Sequence, residues 1–593
     1  MALSEVTQTI VDGGLGAVAA AVTNDGVVIG VFPSGTAYEL TSYGSQAALI
    51  AALATPDGLG TGEAVDAALA VLSASGRVKC MPVELTVRGA VGSVTSTLQS
   101  GSSGTLSATR GPAQLITAVC VTGGTLGTAT FTFALGSGAA GPVTTSAAGW
   151  ASGYRVPGTF TSIVITEGTG FDAGDTFTIS TLGVITQTVN AGAGTGTISS
   201  QNSSPFDNYR AAVRVTGAGA AGTAYFQYAL DYAGDVDAAT WSAEILTPSG
   251  TKYALPGVGI FLTFGGTYVV DDLFVFDMAP PQFTSTELGL AYDALAADAT
   301  EWGFTHPVHT PVSAAAAKTW ADAVQTEHDT LETGYRYTFA LAHVPSVGTP
   351  LTSAGTYSAD SADTDSVIRA AFTAAYTHVA PCVGDCYLTS PTKAIPMRRN
   401  AAWPVANELA RRPLGVDVAH VGDGGDSPVP LRQVVELVRD ERQTPALDAV
   451  GFTTLRTYVG LTGAFISQFH MFVASTSDFF FGQGRRVLDV AQRITRAVYL
   501  PLLNGSLRTT PSGADKGLIL AVDAQRQDNR ARRALEDGLV NLTPSAASAV
   551  SATIDRTVNL LSTSRLEVEV AIVPNGYART ISVRIGYRNP ALS

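Results

Sequence analysis

The chain has 593 residues, of which 46% are hydrophobic and only 14% charged, with a formal net charge of −14. That length exceeds one hydrophobic core and points to several domains. The acidic balance excludes a phosphate-gripping surface, which needs clustered Lys and Arg, and a charge content well under the usual ~25% leaves a surface that is easily desolvated. The charge is also uneven. The first cation is Arg77, whereas from Arg485 onward Lys and Arg outnumber Asp and Glu. An acidic front and a basic rear suit copies that touch head to tail.

Residues 1–15 read as an extended arm, weakly alternating over 4–11 and broken at Gly13 and Gly14. No basic start of a signal peptide precedes it, and no apolar run approaches the roughly 18 residues that span a bilayer. The expectation is a chain made and assembled in the cytoplasm, with no membrane insertion. The β-branched run 27–32 predicts a buried strand, 45–53 and 62–73 carry helical spacing, and 78–87 predicts another strand.

From about 90 to 280 helical periodicity disappears. Thr, Val, Phe and Gly dominate, with turn signals every eight to twelve residues, the pattern of sandwich or barrel domains. This stretch holds an internal repeat. Ala118-Val119-Cys120-Val121-Thr122-Gly123, Gly127-Thr128-Ala129 and Phe131-Thr132-Phe133-Ala134-Leu135 are answered by Ala212-Val213-Arg214-Val215-Thr216-Gly217, Gly222-Thr223-Ala224 and Phe226-Gln227-Tyr228-Ala229-Leu230. Tyr154 to Gly158 is answered by Tyr253 to Gly257, and Gly174-Asp175-Thr176-Phe177 by Asp271-Asp272-Leu273-Phe274. Order is kept and the offset stays near 95 residues, so two tandem β-domains of one fold are expected.

Helical spacing returns at 286–297, 314–331, 365–375, 432–439 and 487–499, with a strand at 337–344, an alternation that predicts an α/β core. The last block opens near 501. It reads as an apolar strand at 517–522, a charged helix at 523–539, and alternating strands at 550–554, 565–573 and 579–586. The whole is read as an α+β multidomain chain: arm 1–15, α/β core at 16–90 and 286–500, β-domains at 91–200 and 201–285 of sandwich or barrel type, and a C-terminal domain at 501–593 ending in a second arm.

Candidate chemistry is sparse. Cys382 and Cys386 with His378 offer either three metal or redox ligands or two small fillers near a turn; the tetrahedral set lacks a fourth ligand at suitable spacing. His306 and His309 read as a surface turn rather than a metal pair. Asp423 to Ser427 lacks the closing Glu of a calcium loop and reads as solvated. Glu39, Glu63 and Asp66 have no spacing that demands a site. No phosphate loop, His-Glu-x-x-His or nucleophile elbow occurs. No cofactor and no catalytic activity are expected.

Several segments together carry a family resemblance. They are Leu455-Arg456-Thr457-Tyr458-Val459-Gly460-Leu461-Thr462-Gly463, Ser475-Thr476-Ser477-Asp478-Phe479, Arg486-Val487-Leu488-Asp489, Asp555-Arg556-Thr557-Val558-Asn559-Leu560-Leu561, and the run from Leu566 to Pro574 followed by Ala578 and Ile581-Ser582-Val583-Arg584-Ile585. With Tyr253 to Gly257, Phe264-Gly265-Gly266-Thr267-Tyr268, and Thr41-Ser42 before Ala47, the chain resembles the tail sheath proteins of contractile phages and related injection machines.

The resemblance implies rings of six subunits stacked helically around an inner tail tube, with baseplate and tail-terminator proteins at the ends, in a virion tail assembled in the host cytoplasm. It implies energy stored in subunit contacts and no direct nucleic-acid binding. Arg526, Arg530 and Arg533 share one helix face by spacing, and the resemblance makes that face a candidate grip on the tube. Val6, Thr7 and Ile10 in one arm and Ile581, Val583 and Ile585 in the other are candidates for strands added to neighbouring subunits. A surface-layer or adhesin protein and a hydrolase with β-type binding modules are the alternatives; the first needs an export signal and the second a catalytic constellation.

Overall fold

The computed structural model describes residues 24–577 except 55–61, 346–363, 422–430, 436–446, 540–548, 574 and shorter stretches, most of them between 84 and 206. Both expected arms, and with them Val6, Thr7, Ile10, Ile581, Val583 and Ile585, lie outside the described residues, as does the loop Asp423 to Ser427. The chain is a mixed α/β multidomain protein with several small sheets, none closed into a barrel among the described residues. It divides into two compact units, Asn24–Arg411 with Val418–Gly482, and Arg412–Asp417 with Gln483–Ser593.

The larger unit is built on a six-stranded sheet ordered Thr41–Tyr43, Val78–Pro82, Gly26–Gly30, Phe304–Pro307, Phe339–Val344, Val379–Val383. All neighbours are parallel except the antiparallel edge strand Thr41–Tyr43. Parallel strands covered on both faces read as continuous apolar runs, and Gly26–Gly30 is buried at every position. Val28, Leu341 and Cys382 pack on one face with the helices Gln46–Leu53, Glu63–Ser75 and Ala402–Arg411. Val27, Ile29 and Ala340 pack on the other with Ser285–Ala297, Ala314–Thr333 and Thr364–Ala371. Each buried Val, Leu or Ile among them contributes about 1.5–3 kcal/mol relative to exposure.

Local sequence sets the helix starts. Ser45 accepts from the Ala48 amide at 3.3 Å, Ser313 from that of Ala316 at 3.1 Å, and Thr284 with Glu287 forms a capping box. Gly30 admits the helix Glu63–Ser75 against the sheet, since a Cβ there would sit 2.7 Å from the Ala64 Cβ. Valine at that position would push the helix off the sheet.

Three expectations are corrected, and one helix appears that none named. Residues 432–439 were expected as a helix; Leu431–Val435 is a strand, pairing with Asp385–Thr389, as suits the β-branched pair Val434-Val435. The strand expected at 517–522 is a single bridge between Thr509 and Ile519, because the following helix already begins at Ala521. The helix Ala402–Arg411 was not foreseen, its apolar spacing masked by Trp403-Pro404 near its start. His306 is no surface residue but part of a fully buried strand, and His309 stacks on the Trp320 ring at 3.9 Å.

The two repeat stretches form sheets of the same order. In the first, Asp175–Ser180, Leu115–Thr122, Thr130–Leu135 and Thr144–Thr145 lie side by side; in the second, Leu273–Ala279, Tyr209–Gly217, Tyr225–Ala229 and Ile245–Leu246 do. The outermost strands differ. Ile185–Val189 extends the first sheet, whereas Ala90–Val91 and Thr95–Thr97 extend the second. Thr105–Arg110 likewise pairs with Ile260–Gly265. Thr95–Thr97 thus joins the second sheet, Thr105–Arg110 joins the separate three-stranded sheet of Tyr253–Leu255 and Ile260–Gly265, and the first copy's chain runs between these strands and the rest of the second copy.

Candidate assembly surface

The smaller unit gathers around two helices. In Gly482–Tyr499, Arg485 and Asp489 pair at 2.7 Å, one helical turn apart and both buried. Arg486 donates to the Arg412 carbonyl at 2.5 Å and the Pro413 carbonyl at 3.3 Å, and Gln483 to that of Leu414, which ties 412–417 to this helix. Burial pulls the Arg486 guanidinium down to about 10, against the opposing influence of Tyr577 and Asp417.

The second helix, Ala521–Gly538, is amphipathic. Ala524, Ala531 and Leu535 are buried, and Ala531 and Leu535 pack with Val550, Ala552 and Val570. Arg526, Arg530 and Arg533 are all exposed. The spacing therefore places them on one face, opposite the buried stripe. At the helix start Asp523 accepts from Arg508 Nε at 2.8 Å and Nη2 at 2.6 Å, and the Arg508 hydrogen bonds hold its carboxyl below the ordinary range. An acid in the first turn also suits the helix dipole.

Beside the helix lies a two-stranded antiparallel sheet, Val550–Ile554 with Val568–Ile572. Its burial alternates strictly along Val550–Ile554, inward at Val550, Ala552 and Ile554 and outward at Ser551 and Thr553. Asp528 of the helix accepts from the Ile554 amide at 2.9 Å. Each strand has only the other as strand partner among the described residues. Two strands alone are marginally stable, so this sheet draws its order from the helix packed against it.

The remaining candidate ligands are scattered. Cys382 and Cys386 are buried on adjacent strands either side of Gly384, their sulfurs 3.6 Å from the Ala380 and Arg399 carbonyls. Burial pushes both thiols up, away from reactivity. His378 instead sits between Asp329 at 3.2 Å and Glu332 at 3.0 Å. No group of three or more His, Cys, Asp or Glu able to hold a metal occurs among the described residues, and no described helix is long and apolar enough to cross a membrane. Sequence reasoning passed over Glu63 and Asp66, which the fold buries beside Arg399. Their helical position inside an Ala-rich apolar run was the available signal.

No curated protein matches the chain. Among solved structures it is similar to the sheath tail protein Lin1278 from Listeria innocua, at 10% identity and a TM-score of 0.41 over 94% of this chain and 97% of that one. It is similar also to the sheath tail protein DSY3957 from Desulfitobacterium hafniense, at 10% identity and 0.37 over 97% and 100%. A third similar chain belongs to the anti-feeding prophage baseplate, at 13% identity and 0.35 over 53% and 76%. The family models described as DUF2586, N-terminal domain, and DUF2586, C-terminal domain, match residues 3–470 and 478–592. Together they span nearly the whole sequence, and the chain belongs to the DUF2586 family.

Proposed function

We propose that this protein is the structural subunit of a contractile tail sheath. It polymerises in six-subunit rings around an inner tube and contracts to drive that tube through a cell envelope. The observation that carries the reading is the helix Ala521–Gly538, which buries one stripe and turns Arg526, Arg530 and Arg533 outward. One exposed ion pair contributes under about 1 kcal/mol. Repeated around every ring, such contacts to an acidic tube hold the extended state and still release on contraction.

The two-stranded sheet beside that helix supports the second half of the reading. Residues 1–12 and 579–593 leave their own subunit and add strands to sheets of neighbours, through Val6, Thr7 and Ile10 and through Ile581, Val583 and Ile585. Backbone bonds of this kind persist while rigid bodies rotate. The repeat stretches form two β-domains on the outside of the tube, the first set within the chain of the second, and baseplate and terminator proteins close the ends of a virion tail or an injection particle. The reading rests also on the sequence segments from Leu455 to Asp489 and Asp555 to Ile585.

The test is co-expression with the tube protein from neighbouring genes, followed by negative-stain microscopy. Sleeves of stacked rings are expected. Changing Arg526, Arg530 and Arg533 together to Glu leaves folding intact, because all three are exposed, and yields empty or prematurely contracted sheaths. Removing residues 1–12 leaves folded subunits that do not polymerise. Normal extended, filled tails from the Arg variant remove the tube-grip role, and discrete particles or flat lattices from the unmodified chain remove the sheath reading altogether.

A further inference from the structure

A buried ionic cluster lies where the second β-sheet meets the helix Glu63–Ser75 and the strand Pro396–Asn400. Arg399, on the strand Pro396–Asn400, is fully buried and bonds Asp66 Oδ2 at 2.5 Å and Asp207 Oδ1 at 2.7 Å. Asp66 belongs to the helix Glu63–Ser75, and Asp207 lies two residues before the strand Tyr209–Gly217. Lys393 adds a bond to Asp207 Oδ2 at 2.8 Å and lies over the Tyr209 ring. Thr392 donates to Asp66 Oδ1 at 2.9 Å. Met397, between these cations in sequence, packs into the core of the second sheet. The cluster is therefore the polar half of a joint whose apolar half is that core.

The charges balance in pairs. Arg399 and Lys393 face Asp66 and Asp207; next to them Arg398 pairs with Asp385 at 2.8 Å, and Asp385 also meets His343 Nε2 at 3.2 Å. Glu63 stands outside this balance. It is buried, its Oε1 takes an amide hydrogen from Asn400 at 3.2 Å, and no cation is bonded to it among the described residues. Arg399, His343 and Asp385 face it from the surrounding strands and Asp207 from the turn before Tyr209–Gly217, Asp66 lies one turn along its own helix, and the Cys386 thiol is close by. Every cation that faces it already serves another carboxylate. An ionised Glu63 is a surplus charge away from water, which is costly.

We propose that Glu63 carries its proton in the folded chain and that this proton latches the joint: prying the second sheet from the helix Glu63–Ser75 and the strand Pro396–Asn400 hydrates Glu63, which then ionises and releases the proton. Burial, with Asp207 adding to it and Arg399 opposing, pushes this carboxyl up to about 7. The sign follows from linkage. Between the ordinary carboxyl value of 4.5 and about 7 the closed joint holds a proton that the open joint has lost. Opening therefore becomes easier as pH rises through that window and levels off above it. The joint is tightest under mildly acidic conditions.

The test is hydrogen exchange of the full chain, followed in peptides covering Tyr209–Gly217, for the unmodified protein and Glu63→Gln at each pH from 4.5 to 8. Taking the ratio at one pH cancels the intrinsic exchange rate. Glutamine mimics the neutral acid, so the ratio of opening, unmodified over variant, should start near unity at pH 4.5, rise by up to about tenfold per pH unit, and flatten above 7. The variant is thus the tighter protein at neutral pH. A ratio that does not change with pH, or a variant looser at pH 7, overturns the proposal. So does a pH dependence that survives Glu63→Gln but vanishes in His343→Asn, which would put the proton on the imidazole.

Discussion

The two repeat copies have the same internal wiring and different anchorage. In each, a glycine with positive φ opens the tight turn, Gly124 at 155° and Gly219 at 152°. Gly127 donates its amide to the Ser146 hydroxyl at 3.0 Å, and Gly222 donates to Thr247 at 3.0 Å. Asp175 accepts from the Asp172 amide at 2.9 Å, and Asp272 from that of Val269 at 2.9 Å. Both copies carry a bulge in the same strand, between Cys120 and Thr122 and between Val215 and Gly217.

Yet the first copy has a small core of its own around Phe131, Phe171 and Phe177. The second shares its core with Met397 and is clamped through Asp207 to Arg399. Short-range turn chemistry was duplicated with the sequence, whereas anchorage depends on what surrounds each copy.

The largest expected effect comes from cutting between the copies. Replacing 112–206 with a short Gly-Ser linker removes the first copy and keeps Thr95–Thr97 and Thr105–Arg110 for the second, so the chain should remain soluble and cooperative. Deleting 95–200 instead takes those two strands away from their partners Leu273–Ala279 and Ile260–Gly265. That protein should aggregate or expose the second copy to protease, as unpaired edges do. Equal solubility of the two deletions, measured by size exclusion and proteolysis, would dissolve the distinction.

A smaller effect separates the copies from the central sheet by pH. Neither copy contains histidine, whereas His306 lies in that sheet and His309 just past its strand Phe304–Pro307. Burial, with His343 adding to it, depresses both to about 3. The unfolded chain then binds protons between about 6.5 and 3 that the native one does not, so stability is lost as pH falls through that window. Burial raises the Asp207 carboxyl, but Arg399 and Lys393 outweigh it and hold it low, so its contribution fades only below about 3.8. Hydrogen exchange at pH 7, 5 and 4 should show Phe304–Pro307 and Phe339–Val344 losing protection before Leu115–Thr122 does. Parallel losses at all three would mean that the histidines are hydrated.

The smallest expected effect tests the shared wiring. Asp175→Ala and Asp272→Ala each remove one buried acceptor from a backbone amide, at a cost of about 1–3 kcal/mol. The two losses, read by denaturant unfolding of each copy's exchange-protected amides, should agree within a few tenths. A much larger loss at Asp272 would show that anchorage reaches even into the turn.

Much of this was legible in the residues. The β-branched run at 27–32, the Ala-rich helices near 45 and 62, and the strand at 550–554 follow from local periodicity, which a single chain segment dictates. So does the shared face of Arg526, Arg530 and Arg533. The duplication was visible too, but its register was not.

Matching Ala118 to Ala212 by identity is one residue off. Ala118 pairs with Phe177, and the residue paired with the corresponding Phe274 is Val213. A one-residue slip exchanges inward and outward side chains. The sheet resolves it because Ala118 and Val213 must both face the core, a fact that depends on partners about sixty residues away in sequence.

The same limit explains the pairing of 90–110 with the second copy, the strand at Leu431–Val435 and the burial of His306. Local propensity determines which segments are helix or strand. Which strand lies beside which, and whether Glu63 faces water or a buried arginine, is decided only when distant segments exclude water together, because hydrogen-bond pairing and desolvation are properties of the packed chain.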